Sequence, residues 1–419
     1  MSLVQRRLSS WGLLFAAAMI FRLLLLTAWY QSGQGTHLSA DSVIYESIGQ
    51  SLANDQGFSM AGHPTTRRVP VYPWALSVAI RFGVFPIGVQ LLQVLAGSLT
   101  CLILVLIGRA FFSQRTAFVA GWILAFDYLL AKQCVYILPE ILFILFFLTS
   151  LYFILRSRQF FSFRDFAIGG FFAALTVLTK EVMSLFYIGL LMILFLSTQR
   201  KKRCLGVAFI FLLAYIGGLM PWVIRNTQVQ GQLSSLTGSS GLTFFLGNNP
   251  SVSRRLHGGD WIAGVDTDYP SDEQSPTTIS AIEVDQEYFR LAIEFIQNNP
   301  QTFLGNSMIK ILRLWYPFYS KTSLELKVIT GSLYGMTLLL MLAGMYLSRK
   351  QWVELLPFYS LIAYLTLIHA VTIPGIRYRY PLMPFVILFS AVALERIYCH
   401  YGVKKGKMKP LQPQVQGDV

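Results

Sequence analysis

The chain has 419 residues, of which 54% are hydrophobic and only 13% are charged. Soluble domains carry about 25% charged residues, so this composition argues strongly against a soluble protein. Lys and Arg number 34 against 20 Asp and Glu, a net charge of +14, and such an excess suits nucleic acid, an anionic membrane surface or an anionic substrate. The four cysteines have no paired spacing, which indicates neither a disulfide framework nor a zinc site.

About ten apolar runs are long enough, or nearly long enough, to cross ~30 Å of hydrocarbon. In chain order they cover residues 11–30, 86–110, 116–135, 141–155, 166–179, 182–197, 205–224, 328–347, 352–371 and 381–398. This pattern predicts an all-α integral membrane protein, a bundle of about 10 to 11 transmembrane helices with additional helices at its outer face.

Lys and Arg fall in alternate connections between these runs, as the positive-inside rule requires of a protein with many spans. One side collects Arg6, Arg7, Arg109, Arg115, Arg156, Arg158, Arg164, Arg200, Lys201, Lys202, Arg203, Arg349, Lys350, Lys404, Lys405, Lys407 and Lys409. We therefore predict that both termini are cytoplasmic. Because no basic patch with interleaved aromatic residues is left over, nucleic acid is not an expected partner.

The same plan leaves two large segments on the outer side, residues 31–85 and 226–327. It divides the chain into an N-terminal membrane module (1–225, including the loop 31–85), an extracytoplasmic segment (226–327) and a C-terminal membrane module with a short cytoplasmic tail (328–419). Within the second segment, the sequence predicts a helix over 281–298. A further apolar helix over 302–318 is expected on the membrane surface or packed on the bundle, with a membrane crossing as the alternative.

The first outer loop combines an acid, two bases and aromatic residues. Apolar residues recur at helical spacing after Asp41, which predicts a short helix at the membrane surface with Asp41 or Ser42 as its N-cap. Arg67 and Arg68 follow, and then the aromatic, proline-stiffened stretch 69–74. Ionisable groups beside a membrane are costly unless they are used. A carboxylate and two guanidinium groups in one loop suit an anionic, amphiphilic ligand, although a capping role alone is the alternative for Asp41.

The stretch 40–74 resembles the first outer loop of the GT-C glycosyltransferases, specifically the superfamily of protein O-mannosyltransferases and aminoarabinose transferases. Other segments resemble that family in the same order. Glu140 matches its acidic residue at the outer start of the fourth span, and Lys180 its basic residue closing the fifth. Residues 225–250 are similar to the loop after the seventh span, and residues 379–384 to the start of the last.

The resemblance implies that a sugar is transferred, with inversion, from a polyprenyl-phosphate donor to a lipid, glycan or protein acceptor on the outer face. Asp41 would be the catalytic base, and the membrane would be a bacterial inner membrane with an undecaprenyl-phosphate type of donor. A lipid phosphate leaves without a general acid, so one carboxylate is enough. General-base assistance contributes typically ~10² to 10⁴ in rate, and positioning and charge stabilisation must supply the rest.

Basic residues on the outer side are candidates for binding the donor phosphate, because guanidinium groups can bind it through two hydrogen bonds. They are Arg67, Arg68, Lys180, Arg225, Arg377 and Arg379, with Arg67, Lys180 and Arg379 ranked highest. Candidates for lining the substrate cavity are Tyr45, Tyr72, Glu140, Glu181, His257 and Tyr378. Each basic residue could instead face solvent or lipid headgroups without binding substrate. Each aromatic residue could instead belong to the belt of aromatic side chains at the membrane interface.

Asp41 is followed by Ser42, whereas the protein mannosyltransferases have two adjacent acids, so a single-carboxylate mechanism is expected. His63 and His257 are compatible with a divalent metal but lack ligand spacing, and the sequence predicts no definite cofactor. A transporter or flippase of polyprenyl-linked glycans is the alternative function. It would show inverted repeats and interrupted helices, neither visible in the sequence. A non-catalytic membrane scaffold is a third candidate function, but it would not explain why the first outer loop carries an acid and several basic residues.

Overall fold

The computed structural model describes residues 3–35, 40–158, 160–234, 236–252, 281–318 and 323–404, and these residues are overwhelmingly helical. The helices are α1 (Leu3–Gln31), α2 (Ala40–Ala53), α3 (Val71–Arg81), α4 (Ile87–Phe111), α5 (Gln114–Ala125), α6 (Tyr128–Lys132), α7 (Glu140–Arg156), α8 (Phe163–Val177), α9 (Phe186–Ser197), α10 (Lys201–Gln230), α11 (Ser240–Gly247), α12 (Ala281–Asn298), α13 (Pro300–Trp315), α14 (Leu324–Leu347), α15 (Leu356–Val371) and α16 (Met383–Lys404). The predicted all-α fold class is confirmed.

Short elements complete the described part of the chain. Three 3₁₀ turns cover Glu181–Met183, Arg349–Gln351 and Ile376–Leu382. In the first outer loop, β1 (Ser59–Met60) pairs antiparallel with β2 (His63–Pro64).

Five helical stretches of the described residues are long and apolar enough to cross a membrane. They are Ser10–Gln31, Ile87–Phe111, Lys201–Gln230, Leu324–Leu347 and Ile376–His400, and Glu181–Ser197 and Leu356–Val371 are shorter apolar helices. The remaining predicted runs coincide with α5, α7 and α8. The protein is therefore a membrane protein, while the number of helices that cross stays a prediction.

The apolar run over residues 116–135 does not form one continuous helix. The structure ends α5 at Ala125 and starts α6 at Tyr128. Asp127, in an extended conformation between them, accepts a hydrogen bond from the Leu130 amide at 2.8 Å. A short carboxylate that bonds a nearby main-chain amide competes with continued helix, which explains the break.

The two ends of the bundle differ in charge, as α7 illustrates. At its C-terminal end Arg156 forms a salt bridge with Asp165, with Nε 2.8 Å from Oδ2, and Arg158 donates to the Ala110 carbonyl at 3.1 Å. At its N-terminal end Glu140 pairs with Lys180. The basic connections around residues 110–165 and the predicted outer loops thus lie at opposite ends of the bundle.

Glycine allows two pairs of helices to approach closely. A Cβ atom at Gly170 of α8 would lie 2.4 Å from the Phe211 carbonyl oxygen of α10, and one at Gly344 of α14 would lie 1.9 Å from the Phe389 carbonyl oxygen of α16. Helices in lipid associate largely through van der Waals packing, which small residues at the contact promote. These two contacts help to hold the bundle around the buried helix α7, where Phe143 and Phe147 are fully buried.

Helix α12 has the predicted bounds, and α13 packs on the bundle against α15 and the 3₁₀ turn Ile376–Leu382. Leu304, Met308 and Leu312 form an exposed apolar stripe on α13, whereas Asn306 and Lys310 are buried. The helix therefore turns its polar face inward, an arrangement suited to lipid outside it.

Candidate active site

Asp41 lies in the first turn of α2 and binds two arginines from distant parts of the chain. Its Oδ1 is 3.1 Å from Nη2 of Arg68, and its Oδ2 is 2.5 Å from Nη2 of Arg377. We call these three residues the Asp41 clamp. Their side chains are between 24% and 37% exposed, so the clamp is accessible. Because α2 begins at Ala40, Asp41 is inside the helix and its carboxylate is used in tertiary contacts.

The charge state of Asp41 follows from its surroundings. Burial alone would raise its pKa, but the guanidinium groups of Arg377 and Arg68 outweigh burial, and the pKa of Asp41 is lowered from its ordinary value. The carboxyl group is therefore ionised at neutral pH. Because each oxygen is bonded to a guanidinium group, the carboxylate is a weak proton acceptor until one of these contacts opens.

Arg68 is held in place by neighbouring aromatic rings and by the main chain. Its guanidinium lies over the Tyr45 ring, 5.4 Å from the centroid, and Tyr45 packs edge-on against Tyr72 with centroids 5.2 Å apart. The Tyr72 hydroxyl donates to Gln93 Oε1 at 2.8 Å. Tyr72 is completely buried and Tyr45 is 7% exposed. These two predicted cavity residues therefore support Arg68 from behind.

A second ion pair lies beside the clamp. Lys180 Nζ is 3.0 Å from Glu140 Oε1, and the Glu140 side chain is only 3% exposed. The other carboxylate oxygen of Glu140 is buried and has no hydrogen-bond partner among the residues that the structure describes. Lys180 also lies 5.1 Å from the centroid of the Tyr378 ring, and Arg377 donates to the Tyr378 hydroxyl at 3.3 Å. Tyr378 thus links the two ion pairs.

Glu181 lies at the edge of the same group of charges. Its carboxylate interacts electrostatically with the Thr237 side chain, Arg68 and Lys180. The structure thus brings together most of the predicted site residues from segments far apart in the sequence: Asp41, Tyr45, Arg68, Tyr72, Glu140, Lys180, Glu181, Arg377 and Tyr378. Three acids alternate with three bases, so the site has positive groups to offer a phosphate without a large net charge.

Two predicted phosphate ligands make anchoring contacts instead. Arg225 donates to the carbonyls of Thr65 at 2.5 Å and Phe58 at 2.7 Å, which ties the first outer loop to α10. Arg379 is 1% exposed, donates to the Tyr316 carbonyl at 2.5 Å and stacks on an aromatic ring of α14. Their predicted role in phosphate binding stays a prediction.

Of the two remaining candidate site residues, the structure describes Arg67 but not His257. Arg67 is half-buried, and its main-chain carbonyl accepts a hydrogen bond from Ser239 Oγ at 3.2 Å. His257 lies outside the described residues.

Some residues near the site were not singled out from the sequence. His369 stacks on Tyr378 with ring centroids 4.7 Å apart, and Thr237 lies near enough to Glu181 to affect its carboxylate. A histidine inside the apolar run 352–371 was a usable signal, because ionisable residues in membrane segments are expensive unless they have a role. Thr237, in a stretch rich in Ser, Thr and Gly, gave no such signal.

The clamp does not fit a divalent cation in its present arrangement. Each oxygen of Asp41 is bonded to an arginine, so a divalent cation at this carboxylate would be repelled by two guanidinium groups a few ångströms away. Among the residues that the structure describes, no group of three or more His, Cys, Asp or Glu is placed to hold a metal ion. His63, on β2, is exposed.

Comparison with known proteins gives one family match. A sequence profile described as dolichyl-phosphate-mannose-protein mannosyltransferase matches residues 63–224. The matched part contains Arg68, Glu140 and Lys180 but neither Asp41 nor Arg377. A search of curated protein sequences finds no match.

Solved structures resemble the fold over almost the whole chain. The oligosaccharyltransferase AglB from Archaeoglobus fulgidus, in complex with an inhibitory peptide and a dolichol-phosphate, aligns with a TM-score of 0.57 and 12% identity over 98% of this chain and 53% of its own. The apo form of the A. fulgidus oligosaccharyltransferase gives 0.58 and 13% over 97% and 52%. ArnT from Cupriavidus metallidurans bound to undecaprenyl phosphate gives only 0.41 and 13%, over 96% and 82%.

The chain spans about half the length of the archaeal enzymes. At such low identity the likeness to them establishes a common fold. The chain therefore shares the fold of these membrane enzymes, and residues 63–224 in addition match the mannosyltransferase family model.

Proposed function

We propose that this protein transfers a sugar from a polyprenyl-phosphate donor to an acceptor on the outer face of a bacterial inner membrane, with inversion at the anomeric carbon. The observation that carries the proposal is the Asp41 clamp, an ionised carboxylate held by two guanidinium groups at the end of the bundle opposite the basic connections. The archaeal relative of the same fold holds a dolichol-phosphate and an inhibitory peptide in its solved complex. That complex supports a polyprenyl phosphate as the donor carrier.

Asp41 is the proposed general base. As the acceptor oxygen forms its bond to the anomeric carbon, its proton passes to the Asp41 carboxylate. The bond between the anomeric carbon and the phosphate oxygen breaks on the opposite face, and the electron pair leaves with the polyprenyl phosphate. Because a phosphate is a good leaving group, stabilising its negative charge replaces a general acid.

The bases of the site are suited to stabilising that charge. Arg377 and Arg68 each bond Asp41 with one guanidinium nitrogen, and guanidinium groups bind phosphate more strongly when two nitrogens contact it. Lys180 adds a third positive charge next to Tyr378. We infer that the donor phosphate draws Arg377 away from Asp41. The same exchange neutralises the phosphate and frees the carboxylate oxygen that accepts the proton.

A flippase for polyprenyl-linked glycans is the rival function. The break between α5 and α6 is the feature that favours it, because interrupted helices are common in transporters. The two functions differ in outcome: a flippase moves its glycan unchanged, whereas a transferase yields sugar-modified acceptor and free lipid phosphate.

The test combines the lipid bound to the protein with the products found in cells. Mass spectrometry of protein purified in mild detergent should detect a co-purified polyprenyl phosphate. Sugar analysis of lipid and glycan extracts should find a modified acceptor in cells that make the protein and not in cells that lack it. A polyprenyl-linked glycan carried by the protein with no modified acceptor in the extracts would favour the flippase.

A further inference from the structure

Residues 237–248, which we call the brace, connect the two segments that carry the clamp arginines. At the start of the brace, the Gly238 amide donates to the Thr66 carbonyl at 2.9 Å, and Ser239 Oγ donates to the Arg67 carbonyl at 3.2 Å. These two bonds fix the main chain directly before Arg68.

The end of the brace holds the segment that leads to Arg377. A Cβ atom at Gly247 would lie 2.4 Å from the Thr372 carbonyl oxygen, so only glycine allows this approach. The Asn248 side-chain amide donates to the Val371 carbonyl at 2.7 Å and to the Phe244 carbonyl at 2.9 Å. Residues 371–378 are therefore attached to the brace shortly before they reach the clamp.

Lys310 on α13 fixes the orientation of Asn248. Its Nζ donates to Asn248 Oδ1 at 3.2 Å, and the two residues are 0% and 1% exposed. No carboxylate of the described residues forms a salt bridge with Lys310. Burial accordingly lowers the pKa of Lys310 to about 8. A buried amine without an acid is costly, and here it contributes a donor that forces the amide nitrogen of Asn248 towards Val371.

We propose that Asn248, oriented by Lys310, is a positioning residue that fixes residues 371–378 and so keeps Arg377 within reach of Asp41 and of the donor phosphate. The part that concerns the phosphate rests on the proposed function. Asn248 touches no reacting atom; it acts through Arg377. The brace also contacts the main chain next to Arg68, so it sets the distance between the two arginines.

The chain offers a matched control in the next residue. Asn249 is also buried, at 2% exposed. Within the described part of the chain its side chain bonds only its own turn, to the Phe245 carbonyl at 2.8 Å and the Val252 amide at 3.0 Å. Replacing Asn249 by Ala removes buried hydrogen bonds without touching Val371 or Lys310. The Asn249→Ala variant therefore shows the effect of destabilising the brace without loss of the contact with Val371.

The first measurement does not depend on function. Hydrogen–deuterium exchange of the purified full-length protein should show faster exchange over residues 371–378 in Asn248→Ala and in Lys310→Met than in wild type and Asn249→Ala. Equal exchange of this segment in Asn248→Ala and Asn249→Ala would overturn the proposal.

The second measurement asks whether Asn248 acts through Arg377. With undecaprenyl phosphate as the probe, Asn248→Ala should weaken binding about 10-fold, in line with the sensitivity of such sites to ångström-scale misplacement. In an Arg377→Gln background the same change should have little further effect, because contacts that act through one group are not additive. Additive losses would contradict the proposal. Failure of wild type to bind the probe, with the exchange result intact, would remove the phosphate function and leave the positioning of residues 371–378 standing.

Discussion

At the scale of single residues, the role of each charged group in the clamp depends on the residues that it contacts. Asp41 and Arg68 come from one loop, and their joint use was predictable from the sequence. Arg377 was ranked below Arg379, yet Arg377 contacts Asp41 while Arg379 is buried. Both lie in one 3₁₀ turn with three residues per turn, so residues two apart point in different directions. The direction in which each arginine side chain points is set by this 3₁₀ turn, which sequence periodicity does not reveal.

The clamp predicts a specific pH dependence. Arg377 contributes more than Arg68 and Lys180 to lowering the Asp41 pKa against burial, so Arg377→Gln should raise that pKa. Because Asp41 must be ionised to act as a base, activity is lost as pH falls through its pKa. The acid limb of kcat/KM should therefore move to higher pH in Arg377→Gln. An acid limb that stays where it is in wild type would show that Asp41 is not the titrating base.

At the scale of elements, helix positions followed from apolar periodicity, whereas their interruptions and neighbours did not. The helix over 281–298 was predicted correctly, because Pro300 and the amphipathic pattern define it locally. The break at Asp127 was missed because the surrounding run is mostly apolar, and one side-chain contact with the Leu130 amide decided it. The brace was visible only as a stretch rich in small polar residues, since its partners lie far away in the sequence.

Substitution of Arg225 tests how the first outer loop is attached to the bundle. Its two charged hydrogen bonds to the carbonyls of Thr65 and Phe58 are each worth about 1.5 to 3 kcal/mol when buried and somewhat less at this half-buried position. Arg225→Gln should therefore lower the thermal unfolding temperature in detergent. Arg349→Gln is the control, because Arg349 is exposed and its side chain contacts the nearby Tyr346, through the carbonyl and the ring. Unchanged stability in Arg225→Gln with lost lipid-phosphate binding would instead make Arg225 a phosphate ligand.

At the scale of the whole molecule, composition and the alternation of basic connections were enough to predict a polytopic membrane bundle. The order along the chain of the segments that resemble the family was enough to suggest the GT-C superfamily. The site itself needed the fold, because the charged groups come from the first loop, the ends of α7 and α8, and the turn before α16.

The most direct test of the central claim is the transfer rate of Asp41→Asn compared with Glu46→Gln, in membranes supplied with the donor and acceptor found in the extracts. Glu46 is an acid on the same helix that accepts a hydrogen bond from Gln50 at 3.0 Å and has no part in the clamp. We predict that Asp41→Asn inserts and folds like wild type but transfers sugar ~10² to 10⁴ times more slowly, while Glu46→Gln is unaffected. A near-wild-type rate in Asp41→Asn would contradict the assignment of Asp41 as the catalytic base.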